Sequence, residues 1–197
     1  MVDVTLPIYT DRLSLRPFEQ SDFEAMHIYH SDPKVCRYLP WPARNKEDSQ
    51  AALERRINST QLSQEGDTLY LAVTISQTAD LIGEVILFWR SLTSKQAELG
   101  YVFNPAFAGY GYATEAAAAI LKLGFEHFEF HRIYARCDTR NTDSYKLMER
   151  LNMRREAHLM QNKFDKGTWC DQFTYALLAH EWQAHHQHAE VSAAPHD

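Results

Sequence analysis

Apolar residues alternate with polar ones in some runs of this chain and recur every third or fourth position in others, and these two periods divide it into strands and helices. In DRLSLRPF, Leu13 and Leu15 alternate with Arg12, Ser14 and Arg16, which predicts a strand. SDFEAMHIYH follows, with Ser21 and Glu24 at capping-box spacing, so a helix is predicted to begin near Asp22. KEDSQAALERRI opens a second predicted helix, over residues 46–64, that ends near Gly66. TLYLAVTIS, LIGEVILFW and QAELGYVF then read as three strands of an antiparallel meander, separated by polar turns such as QTAD.

The second half alternates strand and helix. Residues 114–129 place Ala117, Ile120, Leu121, Gly124 and Phe128 on one helical stripe, with Glu115, Lys122, Glu126 and Glu129 opposite, as in a helix packed on a sheet. RIYARCD alternates Ile133, Ala135 and Cys137 with Tyr134, Arg136 and Asp138, predicting another strand. Asn141 is placed to cap a short helix whose Ser144, Leu147, Met148 and Leu151 share a side. Two last strands, near 154–164 and 169–179, are joined by the turn DKG. The order β-α-α-β-β-β-α-β-α-β-β predicts a single mixed α+β domain over residues 1–182, followed by a polar, flexible, His-containing tail over 183–197.

Composition narrows the functional classes. At 197 residues and 45% hydrophobic the chain suits one globular domain, and its net charge of −6 provides no overall attraction to nucleic acid or anionic membranes. No apolar run approaches the ~18–20 residues of a membrane span. The start, MVDVTLPIYTDR, lacks the pattern of a secretion leader, so a cytoplasmic location is expected. Cys36, Cys137 and Cys170 are too scattered for a disulfide framework or a zinc site. Five of the ten histidines lie at or after His180 without metal-site spacing, and no metal is expected.

The segment NPAFAGYGYATEA sets Gly109 and Gly111 between a strand and a helix. Such a loop is either a tight connection or a cradle in which backbone N–H groups and a helix N-terminus hold a phosphate. It matches neither the Walker A pattern nor the GxGxxG dinucleotide spacing. Together with ELGYVFNP and NTDSYKLMERLNM, GYGYATEA resembles the successive motifs of the GNAT superfamily of acyl-CoA-dependent N-acyltransferases. TDRLSLRPF, YLPWP and YALLAHEW are most similar to its RimJ/RimL-like branch of ribosomal-protein N-terminal acetyltransferases. The similarity runs from Thr10 to Trp182.

That resemblance implies a GNAT fold, with a mostly antiparallel mixed sheet of about seven strands and helices on both faces. It implies acetyl-CoA as cosubstrate and a primary amine as acceptor, most simply the α-amine of a protein such as a ribosomal protein. A small-molecule amine (amino acid, polyamine or antibiotic) and a non-catalytic CoA-binding module are the alternatives. Neither nucleic acid nor membrane is an implied partner, and the chain is expected as a monomer or homodimer. Backbone of Tyr101, Val102 and Phe103 would pair with the pantetheine arm, with the N–H of Val102 or Phe103 polarising the thioester carbonyl. Gly109, Tyr110, Gly111, Tyr112, Ala113 and Thr114 would hold the pyrophosphate. Asn141 would bond the pantetheine amide, and Ser144 would lie near the sulfur.

The chain also departs from the superfamily. Ala106 stands where Gln or Arg is usual, Met148 where many members carry a tyrosine acid, and Asn152 where a helix-ending glycine is common. Ser144 therefore reads as the hydrogen-bond donor to the leaving thiolate, or as a first-turn structural residue. Glu98 either accepts the amine proton through water or pairs with a neighbouring strand, and Glu84 and Asp171 share that ambiguity. Tyr38, Trp41, Trp89 and Trp169 either line an acceptor pocket or fill the core.

Overall fold

The computed structural model describes residues 4–185. Its elements are β1 (Ile8–Tyr9), β2 (Leu13–Arg16), α1 (Phe23–His30), α2 (Pro33–Cys36), α3 (Lys46–Ile57), β3 (Thr68–Ile75), β4 (Leu81–Ser91), β5 (Gln96–Phe103), α4 (Tyr112–Lys122), β6 (Arg132–Asp138), α5 (Thr142–Arg150), β7 (Arg154–Asp165) and β8 (Thr168–Leu178). The strands form one eight-stranded sheet in the order β1-β2-β3-β4-β5-β6-β8-β7. Of the pairings, β5 with β6 is parallel and the others are antiparallel.

This is the α+β architecture the periodicity predicts, with differences at the ends of elements. The eighth strand is the two-residue β1, too short to leave a period. Helix α1 starts at Phe23 after a 3₁₀ turn, and the reciprocal cap is Asp22, whose Oδ2 accepts from the Glu19 N–H at 2.8 Å, rather than Ser21 with Glu24. Pro33–Cys36 adds a short helix, started by the Asp32 side chain accepting from the Lys34 N–H. Helix α3 ends at Ile57 instead of near residue 64, because the Asn58 amide folds back onto the Glu54 carbonyl and the chain leaves the helix. Helix α4 passes into a π turn at Leu123–His127. Asn152 ends α5 at φ 59, in the left-handed region that asparagine tolerates. Residues 179–185 are helical, and the remainder of the segment read as a tail lies outside the described residues.

Alternation along each strand builds two cores. On one face Leu71, Val85, Leu87, Leu99, Ile133 and Ala135 meet α4 through Ala117, Ile120 and Leu121, and α5 through Leu147 and Met148. On the other, Ala72 and Val102 meet Phe18, Met26, Tyr29, Ala52 and Leu53 from the α1–α3 layer. Each fully buried Leu or Ile contributes roughly 1.5–3 kcal/mol. Trp89, one of the aromatic pocket candidates, packs edge-on against Phe130 in the first core, away from the α1–α3 face.

The second core encloses charge. Both Glu84 oxygens take hydrogen bonds from Arg56, and His30 Nε2 lies 3.1 Å from Glu84 Oε1. Arg56 also donates to the Ala52 carbonyl and lies over the Tyr70 ring. Burial works against the Glu84 carboxylate, but the Arg56 charge and the bonds from Arg56 and His30 outweigh it and hold it at about 2. Glu84→Gln leaves the Arg56 charge buried without its partner, and equilibrium urea unfolding at pH 7 should show a loss of about 3–5 kcal/mol. Replacing both partners, as Glu84→Leu with Arg56→Met, should lose much less. A depressed carboxylate contributes stability above its ordinary value of 4.5 and loses it as pH falls toward 2, so that acid limb should be absent from Glu84→Gln.

Candidate active site

β5 and β6 pair only at Gln96–Arg132, Ala97–Ile133 and Glu98–Tyr134, and then part. Residues 100–103 keep β4 on one side and have no strand on the other. The Asn104 N–H donates to the Ile82 carbonyl on the β4 side at 2.9 Å. Strand N–H groups alternate between neighbours, so Val102 also points at β4, whereas Tyr101 and Phe103 point into the gap. Of the two backbone donors considered for a thioester oxygen, the Phe103 N–H faces the gap and the Val102 N–H faces β4.

Two side-chain contacts span the gap, one on each face of the sheet. On the α4 face the Tyr101 phenol lies 2.8 Å from Ser144 Oγ and 3.0 Å from the Ser144 carbonyl. Burial pushes this phenol up, against the bond from Ser144, so it stays protonated at neutral pH. Cys137, whose thiol burial raises to about 11, lies within hydrogen-bond reach of Ser144. On the opposite face Arg136 of β6 grips both oxygens of Glu98 on β5 at 3.0 Å each, and Arg90 adds a bond of 2.8 Å. Glu98 is thus an ion-pairing group held by two guanidinium ions.

Helices α4 and α5 begin beside the opening. Gly109 (φ 88) and Gly111 (φ 81) occupy the left-handed region, where other residues are strained. Among the described residues, no protein acceptor meets the N–H groups of Tyr110, Gly111, Tyr112 and Ala113, and Gly111 caps α4. Successive free N–H groups at a helix N-terminus form an anion cradle. Thr114 closes the turn onto the Gly111 carbonyl, and its hydroxyl accepts from Arg150 Nε at 3.2 Å. Arg150, which the sequence pattern did not single out, thereby sets beside this turn a guanidinium that has no carboxylate partner among the described residues. Arg12 steadies the same loop, donating to the Tyr110 carbonyl and pairing with Glu115. Asn141 Oδ1 caps α5 by accepting from the Ser144 N–H at 3.3 Å, and its amide nitrogen has no partner among the described residues.

Across the α1–α3 face the loop after α2 forms a wall. Tyr38 lies under Arg37 and Arg140, and Trp41 under Arg44, whose Nη1 bonds His30 Nδ1 at 2.7 Å. At the β7–β8 turn, Lys166 Nζ donates to the carbonyls of Cys36 and Leu39 at 2.6 and 2.7 Å and tethers the hairpin to this wall. Trp169 packs on Phe164 in that hairpin and is 58% exposed. Tyr38, Trp41 and Trp169 therefore share a region, while Trp89 does not. Asp171 holds His158 and the Gln161 N–H. Among the described residues no His, Cys, Asp and Glu cluster could hold a metal, and no helix is long and apolar enough to cross a membrane.

The family profile described as acetyltransferase (GNAT) domain matches residues 12–154. The chain is 35% identical to the uncharacterized N-acetyltransferase YnaD of Bacillus subtilis (strain 168), over 89% of its own length and 98% of that protein. A GNAT-family acetyltransferase structure from Bacillus anthracis superposes with a TM-score of 0.81 at 34% identity, covering 89% of this chain and 100% of that one. A structure described as RimL, a ribosomal L7/L12 alpha-N-protein acetyltransferase in complex with coenzyme A, shares the fold, with TM-score 0.75, 19% identity and coverage of 86% and 95%. The chain belongs to the GNAT acetyltransferase family, whose acyl donor is acetyl-CoA, and is an acyltransferase.

A Cβ at Gly109 would meet nothing within 4 Å, so Gly109→Ala isolates the backbone effect. Positive φ alone should cost about 1–2 kcal/mol in urea unfolding. Calorimetric titration with CoA should show weaker binding by the folded variant; unchanged affinity would remove this loop from the CoA site.

Proposed function

We propose that this enzyme moves an acetyl group from acetyl-CoA to the α-amine of a protein or peptide N-terminus, by direct attack within a ternary complex. The observation that carries the reading is the gap between β5 and β6, with the Phe103 N–H aimed into it and Asn141 and Ser144 at its edge.

The cradle from Gly109 to Thr114 binds the pyrophosphate, and Arg150 adds a positive charge next to it. Free backbone of Tyr101 and Phe103 pairs with the pantetheine arm, and the unpartnered Asn141 amide meets one of its amides. The Phe103 N–H stabilises negative charge developing on the thioester oxygen. Ser144 donates to the departing sulfur, and the protonated Tyr101 phenol behind it supplies the hydroxyl that Met148 lacks.

An α-amine suits the site because Glu84 and Glu98, two carboxylates of the α1–α3 face, are each held by arginines and neither is free as a base. With an α-amine near pKa ~8 against ~10 for lysine, water suffices to take the proton. The likeness to the RimL fold supports the same acceptor. Small-molecule amines are the competing acceptors, and thiol release with N-terminal peptides against a panel of small amines separates them. Acetylation of small amines with no peptide modified would overturn the reading.

Ser144→Ala should lower the single-turnover rate at saturating acetyl-CoA by about tenfold to a hundredfold, with little change in CoA affinity. Tyr101→Phe should lower it less, since Ser144 retains its own proton. An alanine variant as fast as the parent would leave Ser144 a structural residue of the first helical turn.

A further inference from the structure

We infer that the acceptor carries a carboxylate close to its reacting amine, because the acceptor face holds more guanidinium groups than it has carboxylates to neutralise them. This inference rests on the acetyl-transfer reading and names the acceptor's chemistry.

Two charge clusters define that face. Paired strand residues project to the same side, and Glu84 faces Val102 as Phe88 faces Glu98, so both carboxylates lie on the α1–α3 side. They are four residues apart along β4, about 13 Å. At the first cluster Glu98 is shared by Arg90 and Arg136, which leaves one positive charge in excess at the point where β5 and β6 part. Both arginine side chains are about two-fifths exposed, at 43% and 41%, so the excess reaches solvent rather than being locked inside the fold.

The second cluster has the same imbalance. Glu84 is matched by Arg56, but Arg44 stands beyond His30 with no carboxylate of its own among the described residues. The Arg44 guanidinium donates to His30 Nδ1, so that nitrogen has no proton and Nε2–H faces Glu84. A singly protonated imidazole is neutral, so two arginines again share one carboxylate. Burial, the largest influence on His30, lowers its affinity for a second proton. Arg37 adds an exposed guanidinium with no acidic partner among the described residues, over the Tyr38 ring at 5.2 Å.

The chain as a whole is acidic, at −6, so this local excess runs against its overall charge. Like charges on facing surfaces suppress encounter, and opposite charges speed it. A polycationic amine is thus a poor occupant, whereas an amine with a nearby carboxylate supplies the missing negative charge. A planar guanidinium also matches a carboxylate through two parallel hydrogen bonds.

The test compares acceptors that differ only in charge: Ser-Asp-Asp-Ala, Ser-Gly-Gly-Ala and Ser-Arg-Arg-Ala, each with one free amine, together with free aspartate and spermidine. At low salt kcat/KM should fall from the acidic to the neutral to the basic peptide by about tenfold per step, with the spread shrinking as salt rises. Arg90→Gln and the exposed Arg37→Gln should narrow the acidic-to-neutral ratio, mainly through KM. Equal rates for the three peptides, or preference for the basic peptide or spermidine, would overturn the inference. Equal peptide rates would leave the N-terminal acceptor reading standing. Transfer to free aspartate with no peptide modified would do the reverse, supporting the carboxylate requirement and removing the peptide. Where no acceptor turns over, tryptophan fluorescence titration of the acetyl-CoA complex ranks the same peptides by affinity. A basic peptide bound as tightly as the acidic one would overturn the inference there too.

Discussion

β5 and β6 run parallel for three residue pairs and then separate, which leaves the backbone of residues 100–103 without a partner on one side. Unpaired backbone groups in the middle of a sheet are costly unless something else bonds them. In the proposed reaction this vacant edge is the functional surface, and a ligand with amides of its own can complete it. The separation has to be limited as well as produced. Tyr101 with Ser144 spans it on one face, and Glu98 with Arg136 spans it on the other. These contacts join the strand that presents backbone donors to the strand and helix that carry the side chains. Small shifts of either would move the Phe103 N–H relative to Ser144.

The wall formed by the loop after α2 depends on the buried ions beneath it. His30 belongs to α1, Arg56 to α3, Glu84 to β4, and Arg44 to the loop that holds Trp41. A well-packed apolar set of the same volume could stabilise the fold as well or better, because desolvating charge offsets much of what the ion pair contributes. What the charged set adds is direction. Guanidinium and carboxylate bond only in particular orientations, so the loop from Tyr38 to Arg44 is fixed against the sheet. The Lys166 tether from the β7–β8 turn holds its other side.

Much of this was legible in the sequence, and the parts that were not share a cause. Strands such as QAELGYVF and RIYARCD show their alternation because one face is apolar and the other mixed. Gly109 and Gly111 mark the cradle because only the left-handed conformation requires them. Asn141 and Ser144 stand where a helix start puts them. The misses depend on contacts between distant segments. Arg56 and Glu84 are 28 residues apart, and nothing local distinguishes a buried arginine from a solvated one. Trp89 looked like a pocket aromatic, yet the register with Ala97 turns it into the core. The Tyr101 phenol reaches α5 only because β5 and β6 part, a consequence of topology that periodicity does not encode. Arg150 is the last residue of its helix, where a basic residue is unremarkable until α4 is packed beside it.

The absence of a free carboxylate base is consistent with that arrangement rather than a defect in it. A base must be free to reach the amine proton during each turnover, and a carboxylate whose oxygens already accept from guanidinium groups has fewer lone pairs left to offer. Glu98 is held by Arg90 and Arg136, and Glu84 by Arg56 with His30, so each is engaged as an anchor for its partners. On the proposed reading, excess guanidinium charge on the acceptor face would also disfavour the ammonium form of the amine and make loss of its proton to water easier. Under that proposal, the arginines that draw in a carboxylate-bearing acceptor would also help to keep its amine neutral for attack. Recognition and activation would then be two effects of one charge distribution, with placement of the amine against the thioester supplying the rest of the acceleration.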